Sequence, residues 1–322
     1  MKIGAFIVPT GIGASIGGFA GDASIWARKF SKISKLIVNP NVVNAACFSG
    51  ITNNMLYVEG YSLDEFFRKR ITLLPVDFES NKIGIVFDKA ISKRVLNVHI
   101  NTINAVKTVY GIDIIGYEIT EEDAGVSFYV DKSGISTGNV NNLSTIKNAA
   151  EKLINKGADA IAIVCKFPED ESNDYANGIG VDPVGGVEAI ISHYISKELQ
   201  VPCAHAPAFE NLEISTEVVD PRASAEYITP TFLPCILLGL SSAPKISTKN
   251  DGISVNDIDF LIVPYTAAGS IPVLEAAKLG KKIYAIKENH TEINVTPEKI
   301  KQKCVIIDTY RELWELIKNE KV

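Results

Sequence analysis

Short apolar runs alternate with segments of helical periodicity along almost the whole chain. Runs of strand length include KIGAFIV, KLIV, MLYV, KIGIVFD and ADAIAIVC. Between two of them, SKRVLNVHINTINAVKTVYG carries apolar residues at roughly helical spacing and ends in glycine, as helices often do. Alternation of this kind is typical of parallel sheets covered by helices. We therefore predict an α/β fold with Rossmann-like, mostly parallel sheets flanked by helices, in two lobes with a cleft between them.

The chain length of 322 residues suits one large domain or two ordinary ones. The least regular stretch, KFPEDESNDYANGIGVDPVGG, is rich in acidic residues, Asn and Gly. A loop of that length in a compact domain is usually a functional lid or a join between units. We predict an N-terminal lobe over 1–175, with a hairpin insertion near 126–138, and a C-terminal lobe over 176–322. A single intertwined domain is the alternative.

Composition excludes several classes of partner and site. The net charge is −6 and no basic cluster follows a phosphate backbone, so we predict no nucleic-acid partner. No apolar run approaches the length of a membrane helix, so we predict no membrane partner. Five scattered cysteines without a C-x-x-C pair predict a cytoplasmic protein. The histidines show no spacing typical of metal ligands, so we predict no metal site. The sequence leaves the cofactor unknown and a homo-oligomer open.

Capping residues predict where three helices begin. In SLDEFFRKR, Ser62 is followed three residues later by Glu65, which is the pattern of a capping box. Asp220 precedes Pro221, and a proline favours the first turn of a helix. Asp22 precedes the segment SIWARKFSK and is positioned to cap it, although a catalytic role is the alternative.

The first apolar run leads directly into PTGIGASIGGFAGDAS, which has five glycines within eleven residues. Ile16 stands where the dinucleotide fingerprint needs its third glycine, and the Gly-Lys-Ser/Thr ending of a P-loop is missing. The glycines either permit close packing and positive φ or expose backbone N–H groups to an anion. On the second interpretation we predict ligand contacts from Thr10, Gly11, Gly13, Gly17 and Gly18.

Other strand ends also carry small or polar residues. The segment IDFLIVPYTAAGSIP at 258–272 repeats the order of apolar strand, Val-Pro, Thr, Gly, Ser and Ile seen at the N-terminus. Open α/β sheets bind ligands at the carboxyl ends of their strands, and an arginine there can bind a carboxylate or phosphate through two bonds. We therefore predict further ligand contacts from Asn41, Asn44, Arg222, Thr266, Gly269, Ser270 and Asn289.

Three residues are candidates for catalysis. His205 in VPCAHAP follows a predicted strand, and a histidine can move a proton near neutral pH. Cys165 ends ADAIAIVC and is followed by Lys166, which would activate it if both faced one cleft; a buried hydrophobic role is the alternative. Asp22 is the third candidate.

At PTGIGASIGGFAGDA, VNPNVVNAA, VDPVGGVEAIISH and VPCAHAP together, the chain resembles an uncharacterised family of cyanobacteria, plastids and other microbes. That family is catalogued as a domain of unknown function. The resemblance covers nearly the whole chain and implies no reaction, so it transfers no catalytic residues.

Two local resemblances are weaker. The stretch from KIGIVFD through GADAIAIVC looks like half of an aspartate/glutamate racemase-type domain, which implies a catalytic role for Cys165; Lys166 departs from the Thr or Asn of that family. The stretch PYTAAGSIPVLEAAKLGKKIYAI looks like the donor half of a glycosyltransferase, which implies contacts from Thr266, Ser270 and Glu275.

Together these features predict an enzyme acting on a small anionic metabolite, with isomerase- or lyase-like chemistry. A nucleotide-sugar transferase is one alternative, and a non-catalytic metabolite-binding or regulatory protein is the other.

Overall fold

The computed structural model describes residues 1–76, 80–169 and 174–320. Part of the long acidic loop singled out above lies outside the described residues. In chain order the strands are β1 (Lys2–Phe6), β2 (Ser34–Val38), β3 (Asn44–Ala45), β4 (Phe48–Ser49), β5 (Met55–Tyr57), β6 (Thr72–Leu74), β7 (Ile83–Phe87), β8 (Ile114–Ile119), β9 (Val126–Val130), β10 (Ser136–Val140), β11 (Ala160–Lys166), β12 (Cys203–Ala208), β13 (Lys245–Ser247), β14 (Phe260–Pro264), β15 (Lys282–Ile286) and β16 (Val305–Ile307).

The helices are interleaved with these strands. In chain order they are α1 (Ser24–Ser31), α2 (Pro40–Val43), α3 (Gly60–Phe67), α4 (Lys93–Tyr110), α5 (Leu143–Asn155), α6 (Gly185–Leu199), α7 (Ser224–Tyr227), α8 (Leu233–Ser241), α9 (Ile271–Lys278) and α10 (Tyr310–Asn319). Short 3₁₀ turns cover Tyr175–Asn177 and Val255–Asp257. Within the described chain, no helix is long and apolar enough to cross a membrane.

A six-stranded sheet is built in the order β16-β15-β14-β1-β2-β5, and every pairing in it is parallel. Alternate residues of β1 point to opposite faces, as the pleat of a strand requires. Phe6 belongs to the buried cluster on one face, and Ala5 belongs to the cluster on the other face with residues of α3 and α9. Both faces are therefore covered.

A four-stranded sheet is built in the order β12-β11-β7-β8, again with parallel pairings throughout. Its outer face packs on α5 and α6, and its inner face shares one large hydrophobic cluster with the six-stranded sheet. Helix α8 contributes Leu233, Ile236, Leu237 and Leu240 to that shared cluster. The two sheets are thus joined by a common core.

The predicted α/β class with mostly parallel sheets flanked by helices is confirmed. The antiparallel pairings are limited, within the described chain, to the two-stranded ribbons β9–β10, β6–β13 and β3–β4 and an isolated bridge. Strands from both sides of residue 175 contribute to each large sheet. Sheet membership does not by itself delimit folding units, so the boundary near residue 175 stays a prediction.

None of the three predicted helix starts is right. Helix α7 begins at Ser224, with Ala223 rather than Asp220 at the N-cap position. The predicted capping box at Ser62 is wrong: α3 begins two residues earlier, and the carboxylate of Glu59 accepts hydrogen bonds from the backbone N–H groups of Tyr61 and Ser62. Asp22 does not cap α1 either, because the N-cap position is Ala23. A glutamate directly after a strand can satisfy the same N–H groups as a serine cap, and its charge also suits the positive end of the helix.

Candidate functional site

The carboxyl ends of strands from both large sheets lie next to one cleft. Thr10 follows β1, Pro40 follows β2 and Glu59 follows β5 in the six-stranded sheet. His205 belongs to β12 of the four-stranded sheet. These residues line adjoining cavities, in the position where open α/β sheets bind their ligands.

Three cavities adjoin one another along this cleft. The outer cavity has a volume of about 260 Å³, the inner cavity about 80 Å³ and the side cavity about 210 Å³. The outer and inner cavities share Tyr175, Asp182 and Glu226. The inner and side cavities share Thr10 and His205. His205 therefore separates the inner cavity from the side cavity.

Two asparagines hold the opening loop, residues 9–22, against the strand ends. Asn39 accepts a hydrogen bond from the N–H of Val8 at 3.0 Å and donates to the carbonyl oxygen of the same residue at 2.7 Å. Asn41 donates to the carbonyl oxygens of Val8 and Gly17. Asn41 also lines the inner cavity, but its amide N–H groups already bind the loop.

The fully buried amide of Asn289 holds the loop from the opposite side. Its Nδ2 donates to the carbonyl oxygen of Ile16 and to the hydroxyl of Tyr310, each at 2.7 Å. Its Oδ1 accepts from the N–H of Ile16 at 3.1 Å. The structure thus places Asn289, a predicted ligand contact, in a hydrogen-bond network within the protein.

Three successive backbone N–H groups of the opening loop have acceptors inside the protein. Ser15 donates to the carbonyl oxygen of His290 at 2.8 Å, Ile16 donates to Asn289, and Gly17 donates to the carboxylate of Asp22 at 2.6 Å. These groups are not available to an external anion. The middle of the loop therefore does not form the anion cradle that its glycines predicted.

The glycines of the loop have backbone and packing roles. Positive φ angles occur at Gly11, Gly13, Gly17 and Gly21, and residues with a Cβ adopt them at a cost. Gly18 lacks a positive φ, but a Cβ there would collide with the carbonyl oxygen of Ala14. Of the predicted contacts in this loop, Thr10 and Gly18 line the inner cavity.

Arg222 braces the loop from outside the cleft. Its guanidinium pairs with Asp220 at 3.0 Å, donates to the carbonyl oxygen of Gly178 at 2.8 Å and lies 4.3 Å from the ring centre of Phe19. Phe19 in turn stacks on Tyr175 with ring centres 4.7 Å apart. Arg222 thus has partners within the protein and is not itself among the residues that line the three cavities.

The loop between β14 and α9, residues 265–270, contributes one residue to the lining of the cleft. Thr266 is buried, and its hydroxyl accepts the N–H of Thr291 at 2.6 Å. Gly269 is exposed. Ser270 lines the side cavity together with Thr10, and its hydroxyl has no hydrogen-bond partner among the described residues. The two loops that share the Val-Pro-Thr pattern therefore meet at Ser270 and Thr10.

The predicted residues Cys165 and Asp22 lie in different surroundings from His205. Cys165 is buried in the cluster that includes Val187 and Ile191, and burial raises the pKa of its thiol well above the usual value. Burial also raises the pKa of Asp22 to about 7, against the hydrogen bond from Gly17. A protonated thiol in an apolar cluster favours the packing interpretation of Cys165.

His205 lies within β12, facing α6, rather than beyond the end of a strand as the sequence predicted. Its neighbour in the register is Ile163 of β11. Pro207 is compatible with this strand because β12 is at the edge of the sheet and needs no N–H donor on its open side. The alanine-rich sequence CAHAPA concealed a strand that extends through Ala208.

Two side chains of α6 lie next to the imidazole of His205. Its Nδ1 lies 2.8 Å from the hydroxyl of Ser192. Its Nε2 lies 3.8 Å from Oε2 of Glu188, which is one turn before Ser192 on α6. The Ser192 hydroxyl also lies 3.4 Å from the carbonyl oxygen of Glu188 and 3.3 Å from that of Ala189. If its one proton goes to either carbonyl, Ser192 accepts the proton of Nδ1, and Nε2 then presents its lone pair to Glu188.

Burial keeps both partners of this pair neutral. It lowers the pKa of His205 to about 3 and raises the pKa of Glu188 well above the usual value. The nearby carboxyls of Asp182 and Glu226 raise the pKa of Glu188 further. At neutral pH the pair therefore consists of an unprotonated imidazole beside a protonated carboxylic acid.

Asp182 and Glu226 form a second pair of carboxyls between the inner and outer cavities. Burial, followed by the charge of Asp182, raises the pKa of Glu226 to about 8. Tyr175 donates a hydrogen bond to Glu226, which opposes that rise. Asp182 itself accepts the N–H of Val184 at 3.0 Å just before α6.

The described lining of the three cavities is acidic. Its carboxyl groups belong to Glu59, Asp64, Glu169, Asp182, Glu188, Glu213 and Glu226, and it includes no lysine or arginine. No group of three or more His, Cys, Asp or Glu side chains in the described ranges is placed to hold a metal ion. The lining suits proton transfer and the binding of neutral or positive groups.

The sequence analysis missed Glu188 as a site residue. Glu188, Ser192 and Ser196 recur every four residues on α6 and are all buried, so they form a polar stripe on a helix that is otherwise apolar where it packs. Such a stripe is visible in the sequence. Its meaning depends on β12 lying opposite, which the sequence does not specify.

Comparison with known proteins places the chain in a family. A family model described as a protein of unknown function, DUF3326, matches residues 4–321. The chain belongs to the DUF3326 family. The resemblance inferred from the glycine-rich opening and the Cys-Ala-His-Ala-Pro segment is thereby confirmed at the level of the family.

A relative of this DUF3326 protein comes from the cyanobacterium Synechococcus sp. (strain ATCC 27144 / PCC 6301 / SAUG 1402/1), where it is named an uncharacterized lipoprotein. The two are 39% identical over 300 residues, which is 90% of this chain and 83% of the relative. No solved structure matches the chain.

Proposed function

We propose that this protein is an enzyme that moves protons on a small polar metabolite, with isomerase- or lyase-like chemistry. The observation that carries the proposal is the pair of His205 and Glu188, buried side by side at a cavity with Nε2 and Oε2 3.8 Å apart. Titratable groups whose pKa values are displaced by burial in a cleft are characteristic of active sites.

The two groups are suited to opposite roles. The neutral imidazole has a free lone pair on Nε2 and acts as the base, while the protonated carboxyl of Glu188 acts as the acid. Nε2 takes a proton from the substrate, and the electron pair of the broken bond stays on the substrate. Glu188 gives its proton to another substrate atom and becomes a carboxylate.

The same pair restores itself without an external reagent. After the step, the imidazolium of His205 and the carboxylate of Glu188 lie 3.8 Å apart. Each stabilises the charge of the other in a buried setting. Return of the proton from Nε2 to Glu188 regenerates the starting state. The sum is a proton shift within the substrate, or the loss of a leaving group that carries the proton from Glu188.

The charge of the lining bears on the substrate. An anionic metabolite, as predicted from the sequence, stays a prediction that the acidic lining does not favour, because a free anion would face carboxyl groups without a nearby lysine or arginine. Neither the transferase nor the non-catalytic alternative has a specific observation in its favour. The cytoplasmic location also stays a proposal.

Hydrogen exchange tests the proposal before the substrate is known. Pools of metabolites are incubated with the protein in D₂O, and loss of carbon-bound proton signals is followed by NMR. We expect exchange at one carbon position with the natural protein. His205→Asn keeps an N–H near the position of Nδ1 for Ser192 and removes Nε2, so exchange should fall about 10²–10⁴-fold.

His290→Asn is the matched control, because the side chain of His290 is exposed and is not part of the lining of the three cavities. Both variants should melt within a few degrees of the natural protein. Undiminished exchange in His205→Asn contradicts the role of the imidazole. A ligand that stabilises the natural protein without any exchange supports the non-catalytic alternative instead.

A further inference from the structure

The inner cavity brings together three carboxyl groups from separate parts of the chain. Asp182 lies in the loop before α6, Glu188 in the first turns of α6, and Glu226 in α7. Burial, followed by the charge of Asp182, raises the pKa of Glu188 and of Glu226, so that these two carboxyls hold protons in the absence of a ligand.

One of these groups has a polar atom without a partner. Glu188 is more than nine-tenths buried, with 8% of its surface exposed, and its Oε1 has no hydrogen-bond partner among the described residues. Buried polar atoms are almost always satisfied, so an exception at a cavity wall points to a group that arrives from outside. The other oxygen of the same carboxyl faces His205.

The described lining contains no lysine or arginine that could donate a hydrogen bond to Oε1 of Glu188. The nearest arginine in this region, Arg222, already binds Asp220 and the carbonyl oxygen of Gly178, and its guanidinium covers Phe19. The cavity wall also includes the aromatic rings of Phe19, Tyr175 and Phe232. Aromatic faces and carboxyl oxygens both attract a positive group.

The size of the inner cavity restricts the ligand further. At about 80 Å³ it holds a group equivalent to two or three water molecules. It shares Asp182 and Glu226 with the larger outer cavity. A ligand can therefore place a small head group in the inner cavity and the rest of its body in the outer cavity.

We propose that the inner cavity binds the ammonium group of a small primary amine. This proposal rests on the proposed function, because the amine is taken to be the substrate on which His205 acts. An ammonium group has three donors, which match the orphan oxygen of Glu188 and the oxygens of Asp182 and Glu226. Its charge replaces the protons that Glu188 and Glu226 hold in the free protein.

Calorimetric titration with n-propylammonium chloride tests the binding directly. Matched titrations use 1-propanol, sodium propionate and potassium chloride at the same ionic strength, so that shape, charge sign and salt are each controlled. A ligand of four heavy atoms binds weakly, with a Kd of about 1 mM or higher. We expect propylammonium to bind at least tenfold more tightly than the three controls and to release protons into weakly buffered solution.

Glu188→Gln is the decisive variant, because an amide resembles the protonated acid in shape and should keep the fold. It should weaken propylammonium binding at least tenfold, and Glu226→Gln should do so as well. Glu315→Gln, on the exposed surface of α10, makes the same chemical change and should leave the affinity as it is. Unfolding curves without ligand establish that each variant is native.

Equal binding of propanol or propionate, or unchanged amine affinity in Glu188→Gln, would overturn the inference. The two proposals fail separately. Amine binding that depends on Glu188, without hydrogen exchange in D₂O, supports the ammonium site and contradicts the enzyme. Exchange on a ligand that lacks an amino group supports the enzyme and contradicts the ammonium site.

Discussion

The opening loop and the carboxyl groups of the inner cavity lie side by side at the strand ends, yet the backbone N–H groups of the loop and the carboxyl oxygens of the cavity differ in how they are satisfied. In the loop, the N–H groups of Ser15, Ile16 and Gly17 all reach protein acceptors. In the cavity, Oε1 of Glu188 has no partner among the described residues, and burial holds protons on Glu188 and Glu226.

This difference separates a structural motif from a candidate site. Glycines and amides attract attention in a sequence because they often bind ligands, but here much of their hydrogen-bonding capacity is used within the fold. The acidic side chains attract less attention because most glutamates are surface residues. Polar capacity left unused in a buried place is the better indicator of function, since it lowers stability unless a ligand compensates.

The largest loss of stability is expected at Gly18, where the opening loop is most closely packed. Gly18→Val should cost more than about 3 kcal/mol or prevent folding, because its Cβ would collide with the carbonyl oxygen of Ala14. Gly280→Ala is the control: Gly280 has a φ of +67° and open space around it, so only about 1 kcal/mol should be lost. Urea unfolding measures both, and equal losses would show that close packing does not constrain the loop.

A smaller loss is expected from the amide that holds the loop. Asn289→Ala leaves the N–H and carbonyl of Ile16 and the hydroxyl of Tyr310 without this partner, at a cost of about 3 kcal/mol. Asn44→Ala removes one acceptor, which serves Tyr57 at 3.2 Å beside the inner cavity, at about 1 kcal/mol. Chemical denaturation measures the loss of unfolding free energy in both variants. A larger loss in Asn44→Ala than in Asn289→Ala would contradict the view that polar groups of the loop stabilise the fold more than those of the cavity.

A third effect is a pH dependence of stability. The pKa of Glu226 is raised from 4.5 to about 8 in the folded protein, so the folded state binds this proton more strongly than the unfolded state. The stability it contributes is complete below pH 4.5 and falls as the pH rises towards 8, by at most about 1.4 kcal/mol per pH unit, and by less where Glu226 is partly exposed.

Glu226→Gln should flatten that slope. Unfolding free energies of both proteins at pH 5, 6, 7 and 8 give the comparison. Glu188 stays in both and contributes in the same direction, so the variant keeps part of the slope. A variant curve as steep as the natural one would mean that Glu226 is ionised in the folded state.

Much of the fold could be predicted because strand and helix periods are local properties of the sequence. Helix α4 is an example: it begins after Ser92 and ends at Gly111, where its apolar spacing and glycine place it. The start of α3 was misplaced because Glu59 performs the capping that Ser62 was expected to perform. Local patterns identify that a cap is needed more reliably than which residue provides it.

The site was less predictable because it depends on contacts between distant parts of the chain. His205 could be singled out by rarity, but its meaning depends on Glu188 and Ser192 of α6. Asn289 and Asn41 were predicted to contact a ligand, and only the fold shows that they bind the backbone of the opening loop. Burial and orphan atoms are properties of the assembled structure.

The central place of β1 in the six-stranded sheet affects how the protein is made. β1 pairs with β2 on one side and with β14 on the other, and some 250 residues separate β1 from β14 along the chain. During synthesis on the ribosome, the edge of β1 that pairs with β14 therefore stays unpaired until Ile262 has emerged. All four strands of the four-stranded sheet lie in the chain between β1 and β14. The cleft at the strand ends can form only after β14 has been synthesised.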